Sequence, residues 1–287
     1  INLNRKKSNV IGIIVPHIID PFFSNLIRIV ESRALEMGYL TISQSSHGKA
    51  QLEARAIENL RSLNAAGILI APLGAASDSR RLKELQKAMP VVFVDSQPDP
   101  NTPCVGTDNF SSMSIIVDYL CRSGPPPSYF SAPSVNLNGV VREKAYKSKM
   151  KEFGLAPDIV NSGRKYRGWD FERYAHDALL EIIKSGRQIP ETILCGNDRM
   201  AIGMISAAMK SDIRVGRERG DDLRIAGHDD VPVSQYSWPT LTTVAQDADA
   251  IGVFATNLLL SRIGDAPPGF AEREEKLFDG KLVLRDS

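Results

Sequence analysis

At 287 residues the chain exceeds what one small core organises and suits two lobes of about 130 residues each. Hydrophobic residues make up 43% and charged residues 24%, an ordinary globular balance, and a formal net charge of +1 argues against a wide DNA-gripping or membrane-gripping face within these residues. Cys104, Cys121 and Cys195 are widely spaced and form no CxxC or Cys/His cluster, so they read as buried or half-buried thiols of a reducing compartment. No apolar run approaches the ~20 residues a membrane span needs, and INLNRKKSN at the start has no apolar signal core behind its charges.

In chain order, Val10 to Val15 (VIGIIV) predicts a strand buried on both faces. Ser24 to Met37 follows with Leu26, Val30, Ala34 and Met37 on one helical stripe and Gly38 at the C-cap position. Tyr39 to Ser43 reads as a strand, and Lys49 to Asn64 as a helix with Leu52, Ala56, Leu60 and Leu63 on one face. GILIA (67–71), a helix carrying Leu82 and Leu85, and VVFV (91–94) complete four strands with three helices between them. Parallel strands need such crossovers, so a doubly wound α/β lobe follows. A second series repeats the alternation. Helices are predicted at Phe110 to Cys121, at Val140 to Phe153, after Asp170, and at Asp198 to Lys210. Strands are predicted at Ser128 to Ala132, Ile159 to Val160, TILC (192–195) and RIAG (224–227). Asp247 to Arg262 is a long helix, and short strands follow around Lys276 to Phe278 and Leu282 to Leu284.

Ligands of open parallel sheets bind beyond the carboxyl ends of the strands. Those ends carry PHIIDPFFS (His17, Asp20, Phe22, Phe23), Asp95, the run Gly196, Asn197, Asp198, and His228, Asp229, Asp230. Neighbouring loops add Asn136, Asn138, Arg142, Arg167 and Trp169. Asp20, Asp95, Arg142, Asn197 and Asp229 form a set of fork-shaped hydrogen-bonding groups, and Phe22, Phe23 and Trp169 supply flat apolar faces. A sugar needs both: paired donors and acceptors for vicinal hydroxyls, and a ring to stack on its C–H face. Each residue also has a plain structural alternative. DPFF reads equally as an Asx turn opening a helix with two core phenylalanines, a strand-end Asp as a helix cap, Arg142 as a surface partner of Glu143, and Trp169 as packing. GxSxG, HExxH, P-loop and GxGxxG motifs are absent, and His17, His47, His176 and His228 have no metal-ligand spacing. No catalytic residue, metal site or cofactor is expected. His228–Asp229–Asp230 is the most reactive-looking cluster, with no nucleophile evident near it in the sequence.

Seven motifs in order then carry a resemblance: IGIIVPHIIDPFFSNLIRIVESRALEMGY, AAGILIAP, VVFVDS, VGTDN, CGNDRMAIG, AGHDDVPVSQYSWPTLTTVAQDADAIGVFATNLLL and KLVLRDS. Over about 280 residues the chain resembles the lactose- and galactose-repressor (LacI/GalR) family of bacterial transcription regulators and, more distantly, periplasmic ribose- and galactose-binding proteins. The resemblance implies two doubly wound parallel-sheet lobes joined by three crossovers, of the periplasmic-binding-protein type I kind. The lobes would be 8–108 plus 247–267 and 109–246 plus 268–287, with 1–7 the remnant of a linker to a DNA-binding headpiece. It implies a non-enzymatic, cytoplasmic homodimer without a membrane segment, reading operator DNA through that headpiece. A sugar or nucleoside-like effector would lie between the lobes and act by shifting populations. By motif, the ligand set is Asp20, Phe22 and Phe23 (DPFF), Asp95 (FVDS), Arg142, Asn197 (GND), Asp229 (GHDD) and Gln246 (VAQD), with Trp169 an approximate match. The chain departs from the family at SGPPPSYF, at Ala145, in the loop 131–139, and at His228, where an aromatic residue is typical. A periplasmic sugar-binding protein of a transporter, and an enzyme of similar fold, are the rival classes.

Overall fold

The computed structural model describes residues 8–99, 101–131, 137–160, 168–218, 220–271 and 273–287. The predicted linker at 1–7, together with Asn136 and Arg167, lies outside the described residues. The chain divides into two units, Ile1–Thr107 with Ala248–Phe278 and Asp108–Asp247 with Asp279–Ser287, so it passes between them three times.

The first unit opens with β1 (Val10–Val15), α1 (Pro21–Glu36), β2 (Leu40–Ser45), α2 (Ala50–Ser62), β3 (Gly67–Ile70), α3 (Ser79–Ala88), β4 (Val91–Phe93) and β5 (Val105–Thr107). The second unit then runs through α4 (Asn109–Ser123), β6 (Ser128–Phe130), α5 (Leu137–Glu152), β7 (Ile159–Val160), α6 (Phe171–Lys184), β8 (Thr192–Cys195), α7 (Asp198–Met209), β9 (Arg224–Ala226) and β10 (Thr243–Ala245). The chain returns to the first unit for α8 (Ala248–Ile263) and β11 (Lys276–Phe278), and ends in the second with β12 (Lys281–Val283).

In the first unit the sheet order is β2-β1-β3-β4, all parallel, and a bridge between Val94 and Val105 brings β5 alongside β4. Ala56, Ile57 and Leu60 of α2 and Leu82 and Leu85 of α3 cover one face, against Ile14, Ile68, Ile70, Val91 and Phe93. The other face takes α1 and α8. Gly67 makes room there: a Cβ on it would lie 2.8 Å from Leu259 Cδ1 of α8. Helix α1 begins at Pro21, three residues before the predicted Ser24. Asp20 is its N-cap, accepting from the Phe22 N–H at 3.0 Å, and a proline at the first helical position costs no hydrogen bond. The expected division put 268–287 with the second lobe, but β11 runs parallel to β5 (Lys276 opposite Val105), which ties residues up to Phe278 to the first unit.

The second unit's sheet is β7-β6-β8-β9, again parallel, with Thr242 bridging to Ala226 and β10 pairing antiparallel with β12. Each face is covered. Helices α6 and α7 bury Phe171, Ala175, Leu179, Met200 and Met204 against Phe130, Ile193 and Ile225; α4 and α5 bury Met113, Ile116, Leu120, Tyr146 and Met150 against Tyr129 and Leu194. Both sheets are therefore enclosed by helices, which is why their strands read as continuous apolar runs. Strands β5 and β10, three residues each, were not predicted: VGT and TVA lack the apolar run or alternation that marks a strand. Cys104 and Cys195 are buried, Cys121 half-buried, and all three are free thiols.

Helices α6 and α7 touch backbone to backbone. A Cβ on Gly203 would sit 2.1 Å from the Glu172 carbonyl oxygen. Gly203→Ala is therefore expected to destabilise the chain by about 1–3 kcal/mol, read as a lowered urea midpoint; an unchanged midpoint would mean the two helices part without cost.

Candidate functional site

Five segments of the second unit converge on one ion pair. Arg142 from α5 places Nη2 3.0 Å from Asp229 Oδ1, with side chains 7% and 14% exposed. The remaining guanidinium nitrogens are also engaged: Nε donates to Asn109 Oδ1 at 2.7 Å and Nη1 to the Gly196 carbonyl at 2.8 Å. Asn109 stands in the first turn of α4, and Gly196 directly follows β8. Gln246, just past β10, donates from Nε2 to Asp229 Oδ1 at 2.7 Å. Thus Arg142, Asp229 and Gln246, three of the expected ligand residues, meet at the carboxyl ends of strands.

Behind Asp229 lies His228, fully buried. Its Nδ1 is 3.0 Å from Asp229 Oδ1 and its Nε2 is 2.8 Å from Ser112 Oγ. Burial, then the charge of Arg142, push His228 down to about 4 against the pull of Asp229, so the ring is neutral at pH 7. Burial pushes Asp229 up, but Arg142, His228 and Gln246 more than offset it and hold the carboxyl below its usual range. Asp229 is therefore ionised. Among the described residues, its carboxylate hydrogen bonds and its nearest contact with Arg142 all fall on Oδ1. Its backbone, at φ 126°, and that of Asp230, at φ 52°, lie in the left-handed half of the map that a side chain disfavours. The turn is held by Asp229 N–H bonding to the Val244 carbonyl and by an Asp230–Arg285 ion pair at 2.6 Å.

A second buried acid supports the first. Asp198, at the start of α7, accepts from Thr243 Oγ1 at 2.5 Å, Ser234 Oγ at 2.6 Å and Val231 N–H at 3.0 Å. It joins α7 to β10 and to the segment leaving Asp230. Burial, then the charge of Asp229, push its carboxyl up to about 7, against its three hydrogen bonds.

The other expected ligand residues have local roles. Asn197 is buried and caps α7, accepting from the Met200 N–H at 2.9 Å. Trp169 is half-buried, packed on the α6–α7 core with its ring 5.6 Å from that of Phe171. In the first unit Asp20 caps α1. Phe22 and Phe23 are buried, with ring centroids 5.4 Å apart. Asp95, buried at φ 65°, donates its N–H to the Val105 carbonyl at 2.8 Å. Asn109 and Ser112 join the second-unit cluster without having been named, and His228 and Asp198, read at strand ends, join it although the expected ligand set left them out. Asn109 has one sequence signal, its place in VGTDN at the start of α4; Ser112 has none.

Ser112, His228 and Asp229 have the distances of a Ser–His–Asp triad, so a hydroxyl does lie beside His228, contrary to expectation. Ser112 is nonetheless fully buried, and a Cβ on Gly280 would lie 2.6 Å from Ser112 Cβ, so no substrate carbonyl fits against its oxygen. Among the described residues, no three His, Cys, Asp or Glu side chains stand together as a metal site, and no helix is long and apolar enough to cross a membrane.

Two doubly wound parallel sheets, with charged and amide groups gathered past the strand ends, define a small-molecule-binding fold. Residues 128–287 match the model of the periplasmic binding protein-like domain. The chain belongs to that family, in the form found in LacI/GalR-type transcription regulators. The ribose operon repressor of Escherichia coli (strain K12) is 26% identical over 265 residues, 91% of this chain and 78% of that protein. The HTH-type transcriptional repressor CytR of the same organism is 29% identical over 289 residues, 100% of this chain and 81% of that protein. A periplasmic binding protein/LacI transcriptional regulator from Alkaliphilus metalliredigens QYMF, complexed with D-xylulofuranose, shares the fold at a TM-score of 0.80 and 21% identity, covering 97% of this chain and 98% of that one.

Asp198 sets a pH dependence. Its proton is held more tightly in the folded chain than in the unfolded one, so it subtracts stability as pH rises from its ordinary 3.8 to about 7. Asp198→Asn should flatten that slope: the unfolding free energy of the natural chain, relative to the variant, falls between pH 5 and pH 7.5 in urea titrations. A difference independent of pH would contradict the raised carboxyl.

Proposed function

We propose that this chain is the effector-sensing and dimerisation domain of a cytoplasmic, non-enzymatic bacterial transcription repressor, and that its effector is a neutral polyhydroxylated molecule, a sugar or nucleoside. The observation that carries the reading is Asp229. Its carboxylate is ionised, the hydrogen bonds from His228 and Gln246 and the nearest approach of Arg142 all fall on Oδ1, and Oδ2 accepts no hydrogen bond among the described residues. An anion of this kind accepts from a ligand hydroxyl or N–H and repels a phosphate or carboxylate. Asp20, Phe22, Phe23, Asp95, Asn197 and Trp169 are proposed as further ligand-contacting residues by motif. The effector acts on a DNA-binding equilibrium only through its difference in affinity for the two states.

A repressor of this kind reads two half-sites, so a symmetric pair of copies fits its task. An apolar patch on the second unit supports a pair: Tyr236 and Trp238 are each 79% exposed, with Met209 and Val233 also exposed, beside a recess of about 410 Å³ lined by Ile202, Ile205 and Trp238. Its occupant is a second copy of this chain.

A thermal-shift panel of pentoses, hexoses, sugar phosphates, nucleosides and purines tests the effector. A ligand at 100 times its Kd adds about 2.7 kcal/mol, several degrees for a chain of this size. Neutral sugars or nucleosides should raise Tm, their phosphates less, and Asp229→Asn should abolish the rise; a flat panel, or an undiminished rise in the variant, overturns the reading. In sedimentation at micromolar concentration the chain should be a dimer and Trp238→Asp a monomer. A monomeric natural chain would favour a periplasmic sugar-binding protein.

A further inference from the structure

The Ser112–His228–Asp229 line is too buried for chemistry, yet both ring nitrogens of His228 are bonded and the ring separates α4 from the effector-reading carboxylate. The protonation pattern follows from its neighbours. Asp229 is ionised and only accepts, so the proton of neutral His228 is on Nδ1. Nε2 is then an acceptor, and the Ser112 hydroxyl donates to it. The direction of donation runs from Ser112 O–H to Nε2, and from Nδ1–H to Asp229 Oδ1. A buried aromatic hydrocarbon at this position would fill the same space and donate nothing.

We propose that His228 is a positioning residue which, through Ser112, locks Asp229 Oδ1 to α4 and leaves Oδ2, unbonded among the described residues, to accept from a ligand. Its use in reading an effector rests on the function proposed above; the lock itself does not. Three features make the lock directional. Asn109 and Ser112, one helical turn apart on α4, hold the two halves of the ion pair: Asn109 the Arg142 Nε, Ser112 the Asp229 carboxylate by way of His228. Both stand just after the passage at Thr107/Asp108. Gln246, the third donor to Asp229, stands just before the passage at Asp247/Ala248. Gly280, just after the third passage, presses on Ser112 and on Val244, where a Cβ would lie 2.6 Å from a carbon of each. Each point where the chain passes between units is thus one or two residues from a group that fixes Asp229 or its support.

The experiment is NMR on the purified chain without any added ligand, so it stands whether or not a sugar binds. The ¹⁵N resonances of His228 should report a neutral ring with the proton on Nδ1 from about pH 5 to pH 8. A proton on Nε2, or titration near 6.5, overturns the proposal. His228→Phe, with folding confirmed by its amide spectrum, should raise the ¹³C titration midpoint of the Asp229 carboxyl by on the order of one pH unit, because one hydrogen bond to the charged form is gone. A packing role alone would leave that midpoint in place, and an unmoved midpoint overturns the proposal. If His228→Phe does not fold, Ser112→Ala decides: the Nε2 resonance should move while the proton stays on Nδ1, and an unmoved Nε2 overturns the proposal.

Discussion

The Arg142–Asp229 ion pair is the constraint around which the second unit is arranged. Two charges with side chains only 7% and 14% exposed carry a desolvation cost that their mutual attraction alone does not offset. What makes the pair tenable is the ring of further partners: Asn109 and Gly196 on the guanidinium, Gln246 and His228 on the carboxylate. Those partners come from α4, the end of β8, the end of β10 and the turn after β9. Removing any one leaves a buried donor or acceptor of the pair without that partner, so the pair favours one geometry for these segments.

That geometry has a local cost in the turn at Asp229 and Asp230, where two consecutive non-glycine residues adopt positive φ. Such strain persists only when the surroundings over-determine it. Here Val244 holds the backbone, Arg285 holds Asp230, and Asp198 holds the Val231 N–H and the hydroxyls of Ser234 and Thr243. Glycine at 227 belongs to the same arrangement: a Cβ there would meet Asp198 Oδ1 at 2.2 Å. The outcome is a frame in which, among the described residues, one oxygen of the Asp229 carboxylate takes the hydrogen bonds and the other takes none.

Much of this was legible in the amino-acid sequence, and what was not has physical reasons. VIGIIV, GILI and TILC announce strands enclosed on both faces, and the helices between them fix a parallel order. The rule that ligands lie past strand carboxyl ends singles out Asp229 and the GND run, and Arg142 is read from the neighbouring segment and the family motif. It did not separate a capping role from a binding one, because both use the same atoms: Asp20 and Asn197 each spend a side-chain oxygen on a helix N-terminus. Ser112 left no trace, since a serine inside an apolar helical stripe has no periodicity of its own. Its partner His228 comes from a strand end more than a hundred residues away. The triad-like line of Ser112, His228 and Asp229 likewise arises only from tertiary packing, and burial, not residue type, removes it from catalysis.

The most direct test of the central claim, that this cluster reads a small neutral ligand, is hydrogen–deuterium exchange on the purified chain with and without a saturating pool of pentoses, hexoses and nucleosides. The account predicts slowed exchange in peptides spanning 109–112, 226–231 and 243–247, where the donors to Asp229 and their supports reside. Unchanged exchange in those three segments, with or without protection elsewhere, would contradict it.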